Sequence, residues 1–200
     1  MFDRVKADFQ RVYWNYPSKD PANLLKKVWV VVNSQGFQAL AVYRLQRWCM
    51  EIAKRPKTGF FIGVLEKIAS VLQKIILLLY DINISKKADI GKGFCIHHFG
   101  GIHIGVCRIG ENCTIAQQVK IAPERENGDR VGVTMEDRVW IGGHCIISGK
   151  VHIGKGCTIS SGSIITKDIS PNHLVAGKKG RILNKNFDNT KLHNLPDLQD

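Results

Sequence analysis

A six-residue spacing of isoleucine runs through the chain from residue 84 onward. The residue after the isoleucine is often glycine, and the residue four positions after it is usually small or medium-sized. One extra residue precedes Ile109, and a longer insertion precedes Met135. The repeat positions are Ile84, Ile90, Ile96, Ile102, Ile109, Ile115, Ile121, Met135, Ile141, Ile147, Ile153, Ile159 and Ile165.

A period of six matches neither the 3.6-residue period of an amphipathic helix nor the two-residue period of a half-buried strand. It is typical of a β-solenoid in which three hexapeptides form one triangular turn. Each repeat isoleucine would point inward, and residues about 18 apart would stack one strand spacing, ~4.8 Å, from each other. The sequence therefore predicts a mainly β fold, a parallel β-helix of about four turns over residues 81–183.

The segments on either side of the repeat differ from it. Residues 1–80 have apolar positions at helical spacing and predict a small α-helical region, whereas residues 184–200 are polar and predict a loose tail. The apolar stretch 59–80 is long enough to span a bilayer, but Glu66, Lys67 and Lys74 would be costly at membrane depth. We expect an amphipathic helix packed on protein, with an interfacial membrane helix as the alternative.

The break in the repeat at residues 122–134 is polar and charged, and it contains two glycines. A solenoid turn has no room for these residues, so the sequence predicts a loop that projects outward. Loops on a rigid scaffold often carry functional residues.

Charge and cysteine content narrow the partners and the compartment. The formal net charge is +12 over 200 residues, which favours anionic partners such as phosphorylated cofactors, acidic glycans or anionic membranes. No basic motif interleaved with aromatics accompanies the charge, so no nucleic-acid partner is expected. The N-terminus has no apolar signal region, so the six cysteines are expected to be reduced in the cytoplasm. Three of them, Cys113, Cys145 and Cys157, occupy inward positions that predict a packing role.

Three histidines stand among the repeat isoleucines. His97 and His98 follow Ile96, and His103 follows Ile102, so all three are expected to face outward or lie at a turn. A shared functional site is the favoured interpretation, with two possible chemistries. A neutral imidazole can take a proton from a hydroxyl nucleophile, or three imidazoles can bind zinc with one position open.

Three stretches of the sequence resemble the left-handed β-helix acyltransferases. They are GFQALAVYRLQRW (36–48), INISKKADIGKGFCIHHFGGIHIG (82–105) and SGSIITKDISPNHLVAG (161–177). The chain is most similar to the serine acetyltransferase branch and its relatives in polysaccharide O-acetylation. The resemblance implies a left-handed β-helix, acetyl-CoA as acyl donor, no metal, and a homotrimer with active sites between protomers.

The resemblance also implies roles for individual residues. His98 matches the general base, and Asn83 stands where the family has the aspartate that orients it, which leaves open whether Asp81 or Asp89 compensates. His97 replaces an acceptor-binding aspartate. The family's Gly-Asp-Arg-His sequence is present here as Gly128-Asp129-Arg130, but Val131 stands in place of its histidine. The remaining implied contacts are His103, Asp129 and Arg130 for the acceptor, and Gly143, Ser161, Lys178, Lys179 and Arg181 for acetyl-CoA.

These departures lead to three functional hypotheses. The first is an O-acetyltransferase acting on a sugar hydroxyl of a capsule, exopolysaccharide or lipopolysaccharide, located in the cytoplasm or at the periphery of the inner membrane. The second changes the acceptor to L-serine. The third is a zinc enzyme like the γ-carbonic anhydrases, for which His144 and His152 are the matching histidines in later turns.

Overall fold

Helices precede a solenoid of short strands. The computed structural model describes residues 1–15, 24–53, 60–126, 129–178 and 180–190, with the backbone alone for 124–126 and 129–131. The helices are α1 (Phe2–Trp14), α2 (Leu24–Asn33), α3 (Gln35–Ala53) and α4 (Phe60–Tyr80). Within these residues, none of the helices combines the length and the apolar character that crossing a bilayer requires.

Seventeen strands follow in the described part of the chain, most of them two or three residues long. They are β1 (Ile82–Ile84), β2 (Asp89–Ile90), β3 (Cys95–Ile96), β4 (Ile102–Ile104), β5 (Arg108–Ile109), β6 (Thr114–Ile115), β7 (Lys120–Ala122), β8 (Glu124–Glu126), β9 (Asp129–Val131), β10 (Thr134–Met135), β11 (Trp140–Ile141), β12 (Ile146–Ser148), β13 (His152–Ile153), β14 (Thr158–Ile159), β15 (Ile164–Ile165), β16 (Leu174–Ala176) and β17 (Arg181–Asn184).

Three parallel sheets form the faces of the solenoid. Their strand orders are β1-β4-β7-β12-β15, β2-β5-β10-β13 and β3-β6-β11-β14-β16, and β17 adds to the last sheet antiparallel to β16. The fold prediction is confirmed, with about five turns instead of about four. The six-residue repeat does not predict the last turn, because that turn has fewer residues than the turns before it. Ile153 bridges to Ile169, and Ile159 pairs with Val175.

The core is a stack of repeat isoleucines inside the solenoid, nearly all of them fully buried. In one place the predicted register is wrong. Ile104, rather than Ile102, lies beside Ile121, while Ile102 pairs with Ile82. Both Ile102 and Ile104 are buried, so the apolar pattern alone cannot distinguish them.

Helices α1 and α3 hold the first turn of the solenoid. Arg44 donates to Asp8 at 3.0 Å (Nε to Oδ2), and both side chains are almost completely buried. Asp8 Oδ1 accepts a hydrogen bond from the Phe94 amide at 3.0 Å, and Arg11 donates to Thr114 Oγ1 at 2.9 Å. Burial raises the pKa of Asp8, while the Arg44 charge acts in the opposite direction. These contacts fix the position of the helices against the β2–β3 segment.

The insertion and the tail both have more structure than the sequence pattern specifies. The insertion contains an antiparallel hairpin of β8 and β9 between the solenoid strands β7 and β10. The tail, predicted to be loose from residue 184, follows the solenoid as far as it is described. There Asn189 is buried and its Nδ2 donates to the carbonyl oxygen of Arg138 at 2.7 Å and to that of Cys157 at 3.3 Å. Residues 191–200 lie outside the described residues.

The cysteines are all free thiols and buried. Burial raises the pKa of Cys95 to about 11 and those of Cys107 and Cys113 to about 12. The thiolate is the reactive form, so these side chains are inert at neutral pH and act in packing.

Candidate active site

The corner between β3 and β4 is longer than the equivalent corners below it. Ile96 lies beside Ile115 and Ile104 beside Ile121, so eight residue steps on the first turn correspond to six on the second. His98 adopts φ of +60°, which is uncommon for a residue other than glycine. The two additional residues push this corner out of the regular stack.

His97 and His98 line one cleft, where the extended corner meets the helices. The cleft has a volume of about 260 Å³ and is bounded by the end of α1 and the junction of α2 and α3. The two imidazole centroids are 6.4 Å apart, and His98 is the more exposed of the two residues. The lining residues are Val12, Asn15, Ser34, Gln35, Gly36, Cys95, Ile96, His97, His98 and Phe99.

The surroundings of His97 favour the neutral form of its imidazole. Burial lowers its pKa, and the neighbouring His98 and Arg11 lower it further. Asn15 Nδ2 lies 3.5 Å from His97 Nε2, where a neutral ring can accept a hydrogen bond. His97 is therefore suited to position a polar group in the cleft without carrying charge.

His103 lies apart from the other two histidines. It projects from β4 beside Asn83 of β1 and Lys120 of β7. Its Nε2 is 3.7 Å from Asp81 Oδ1, and both residues line a second cleft of about 480 Å³. Asp81 is thus placed beside His103, while Asp89 pairs with Arg47 at 3.3 Å. Asn83 is the ladder neighbour of His103, and its support of His98 stays a prediction.

The residues implied for acetyl-CoA lie further along the same edge of the solenoid. The backbone N–H of Gln118 donates to Gly100 O at 2.8 Å, and the backbone N–H of His144 donates to Gln117 O at 3.0 Å. The amide of Gly162, next to Ser161, then donates to Gly143 O at 2.8 Å. Gly143 and Ser161 therefore continue the column that begins at the extended corner.

Lys178 and Arg181 line a third cleft, of about 780 Å³, between β15 and the β16–β17 pair. Asp168 and Lys167 share this cleft. Three cationic side chains make it suitable for a phosphorylated ligand. Lys179, the remaining cation in this prediction, lies outside the described residues.

Asp129 and Arg130 are not brought to His98 within one chain. Both belong to β9, where Arg130 pairs with Arg125 and Asp129 with Glu126 along the backbone. The hairpin leaves the solenoid between β7 and β10, at a different corner from the one that carries His98.

The zinc hypothesis finds no ligand set in the described part of the chain. No group of three His, Cys, Asp or Glu side chains is placed to hold a metal ion there. His144 lies at a corner, and His152 Nε2 is 3.1 Å from Glu136 Oε1 on another sheet.

Three polar residues of the His97–His98 cleft are absent from the sequence prediction. Asn15, Ser34 and Gln35 reach it through tertiary packing, which no local pattern records. Only Ser34 has a recognisable signal, since its Oγ accepts a hydrogen bond from the Phe37 amide at 3.3 Å and thereby caps α3.

Comparisons with known proteins agree with this architecture. The family described as bacterial transferase hexapeptide (six repeats) matches residues 132–167. The serine acetyltransferase of Escherichia coli K12 is 28% identical over 152 residues, which are 76% of this chain and 52% of that protein. The enzyme of the same name from Bacillus pumilus is 28% identical over 187 residues, 92% of this chain and 78% of that protein. The chain spans about half the length of the first of these relatives.

Solved structures show the same likeness. The crystal structure of serine acetyltransferase from Brucella abortus strain S19 aligns with a TM-score of 0.71 and 25% identity, covering 92% of this chain and 68% of that one. The structure of serine acetyltransferase from that strain in complex with coenzyme A aligns with a TM-score of 0.68 and 23% identity, covering 92% and 67%. This likeness supports the left-handed β-helix that the resemblance implied.

Proposed function

We propose that this chain, a hexapeptide-repeat protein of the left-handed β-helix acyltransferases in the serine acetyltransferase-like branch, transfers an acetyl group from acetyl-CoA to the hydroxyl group of L-serine. The observation that carries the proposal is the extended corner. It sets His98 at the mouth of a cleft and at the head of the column formed by Gly143 and Ser161. The sequence and fold similarity to serine acetyltransferases supports the choice of acceptor.

His98 acts as the general base. Its imidazole removes the proton of the acceptor hydroxyl while the oxygen attacks the thioester carbonyl carbon. The tetrahedral intermediate collapses with cleavage of the C–S bond, and the proton on His98 passes to the departing thiolate of CoA. Backbone N–H groups along the corner stabilise the oxyanion.

Acetyl transfer takes place directly between the two bound substrates. An acyl-enzyme would need an activated nucleophile, and the thiol nearest the histidines is Cys95. That side chain is buried, and its pKa is raised to about 11. Direct transfer therefore requires that acetyl-CoA and the acceptor occupy the site together.

Acetyl-CoA is held along the corner column. The backbone at Gly143 and Ser161 hydrogen-bonds the pantetheine arm, and Lys178 and Arg181 bind the phosphates through charge-assisted contacts. A homotrimer completes the site. In it, the hairpin of a neighbouring copy brings its Asp129 and Arg130 toward His98, since the two features leave the solenoid at different corners.

A sugar hydroxyl is the second candidate acceptor, and one observation favours it. Among the described residues that line the His98 cleft there is no carboxylate and no guanidinium. Asn15, Ser34, Gln35 and neutral His97 offer uncharged hydrogen-bonding groups, which suit a neutral polyol better than a zwitterionic amino acid.

The test is CoA thiol release from acetyl-CoA, with mass spectrometry of the acetylated product. L-Serine and a panel of bacterial polysaccharides are supplied as separate acceptors. We expect acceptor-dependent release with serine and recovery of O-acetylserine. Release with a polysaccharide alone moves the assignment to the second candidate, and no release above hydrolysis with any acceptor overturns the proposal.

A further inference from the structure

One side of helix α4 is an exposed apolar surface. Six large side chains follow one another at alternating intervals of three and four residues, which places them in a single stripe along the helix. Several are very exposed: Phe61 at 85%, Ile68 at 50%, Val71 at 56% and Leu78 at 84%. We call this stripe the α4 apolar face, and it consists of Phe61, Val64, Ile68, Val71, Ile75 and Leu78.

The opposite side of α4 is already committed to the fold. Ala69 and Ile76 are buried there, and the Gln46 side chain of α3 donates to Ala69 O at 3.2 Å. The α4 apolar face is therefore not needed to attach the helix to α3. At 21 residues, α4 presents the face over about 30 Å.

The charges beside the face have one sign. Lys67 and Lys74 are exposed, and both lie immediately before members of the stripe. The one acidic residue of α4, Glu66, is neutralised by Lys86 at 3.0 Å. Helix α2 repeats the combination, since it exposes Leu25 at 79% and Val32 at 63%, contains two lysines and has no acidic residue.

We propose that the α4 apolar face binds an anionic lipid surface, with the helix lying in the plane of the interface. An apolar stripe with flanking lysines combines the two interactions that such binding needs, burial of apolar area and attraction to acidic headgroups. Charge complementarity favours lipid over the α4 helix of a second copy, because pairing two such faces would bring Lys67 and Lys74 against the same lysines. The inference does not depend on which acceptor is acetylated.

Vesicle co-sedimentation of the full chain tests the proposal. The probes are vesicles of phosphatidylcholine alone and of phosphatidylcholine mixed with phosphatidylglycerol. We expect binding to the mixed vesicles that weakens with salt. The pair Ile68→Asp and Ile75→Asp should lower binding more than about tenfold. Lys67→Glu and Lys74→Glu should each lower it about fivefold.

Matched variants outside α4 serve as controls. Leu183→Asp replaces an apolar residue on β17 that is more exposed than Ile68 or Ile75, and Lys155→Glu reverses an exposed lysine of the solenoid. Both should bind vesicles like the wild type. The proposal is overturned if the wild type does not prefer anionic vesicles, or if the α4 variants bind as well as the controls. It is also overturned if the wild type ignores vesicles and the α4 variants break up an assembly in sedimentation velocity, which would assign the face to contacts between copies.

Discussion

The corner after β3 and the corners after β6, β11 and β14 occupy the same edge of the solenoid, but they are built differently. The lower corners are short, and the corner after β11 is stacked tightly on the corner after β14. A Cβ added at Gly142 would lie 2.6 Å from the Ser161 amide nitrogen. The first corner has two more residues, and a Cβ at Gly100 would meet nothing within 4 Å. One edge of the solenoid thus has a stacked column of corners at Gly143 and Ser161 and an open pocket at the first corner.

The difference arises from what each corner contacts. The lower corners rest on the turns above and below them, so their length is set by the repeat. The first corner instead faces the helices, which are fixed by the buried Asp8–Arg44 pair and by Arg11. This support allows a longer corner that carries His98 at positive φ.

The largest effect is expected from removing the extension. Deleting His98 and Phe99 makes the first corner as long as the lower ones, so the solenoid should fold. The base is lost, and the rate of CoA thiol release should fall by about 10²–10⁴-fold. Circular dichroism checks the fold, and His152→Ala is the activity control. An active deletion variant would show that the extended corner is dispensable.

Breaking the support of the first turn should cost the most stability. Asp8→Ala leaves the buried charge of Arg44 without its carboxylate, and we expect a loss of about 3–5 kcal/mol in the free energy of unfolding. Glu111→Ala removes an exposed pair with Lys92 at 3.5 Å and should cost less than about 1 kcal/mol. Urea denaturation measures both. Equal losses would mean that the buried pair does not anchor the helices.

The tight packing of the lower corners predicts a smaller effect. Gly142→Ala forces its new methyl against Ser161, at a cost of about 1–3 kcal/mol. Gly63→Ala in α4 meets nothing within 4 Å and should stabilise the chain by up to about 1 kcal/mol. Thermal unfolding of the two variants separates them, and a neutral Gly142→Ala would contradict the account of a rigid column.

The smallest expected effect is a pH dependence at the first corner. The pKa of His97 is lowered in the folded state by burial, His98 and Arg11. The unfolded chain therefore binds more protons below its unfolded pKa of about 6.5. Stability should fall as the pH drops below that value and should not change above it on this account. His97→Asn should flatten the acid side of the profile of unfolding free energy against pH, and an unchanged profile would show that His97 is not the source.

The repeat predicts the lower turns well because the residue type at each position there depends only on whether its side chain points into or out of the solenoid. Ile141, Ile147, Ile153 and Ile159 all lie where the six-residue count puts them. The count is wrong at the first corner, since both Ile102 and Ile104 are buried and only pairing with β1 and β7 selects the register.

The site is less predictable than the scaffold. The shared cleft of His97 and His98 follows from their adjacency, whereas the separation of His103 depends on the two additional residues. Asn15, Ser34 and Gln35 enter through contacts with residues more than 50 positions away, which the spacing of a single sequence does not encode.

The most direct test of the central claim is the initial rate of CoA thiol release by His98→Ala, compared with His103→Ala, at saturating acetyl-CoA and acceptor. If the extended corner carries the general base, His98→Ala loses about 10²–10⁴-fold in rate, while His103→Ala keeps most of it. Near-wild-type activity of His98→Ala together with loss of activity in His103→Ala would contradict the account and assign the base to the Asp81–His103 pair.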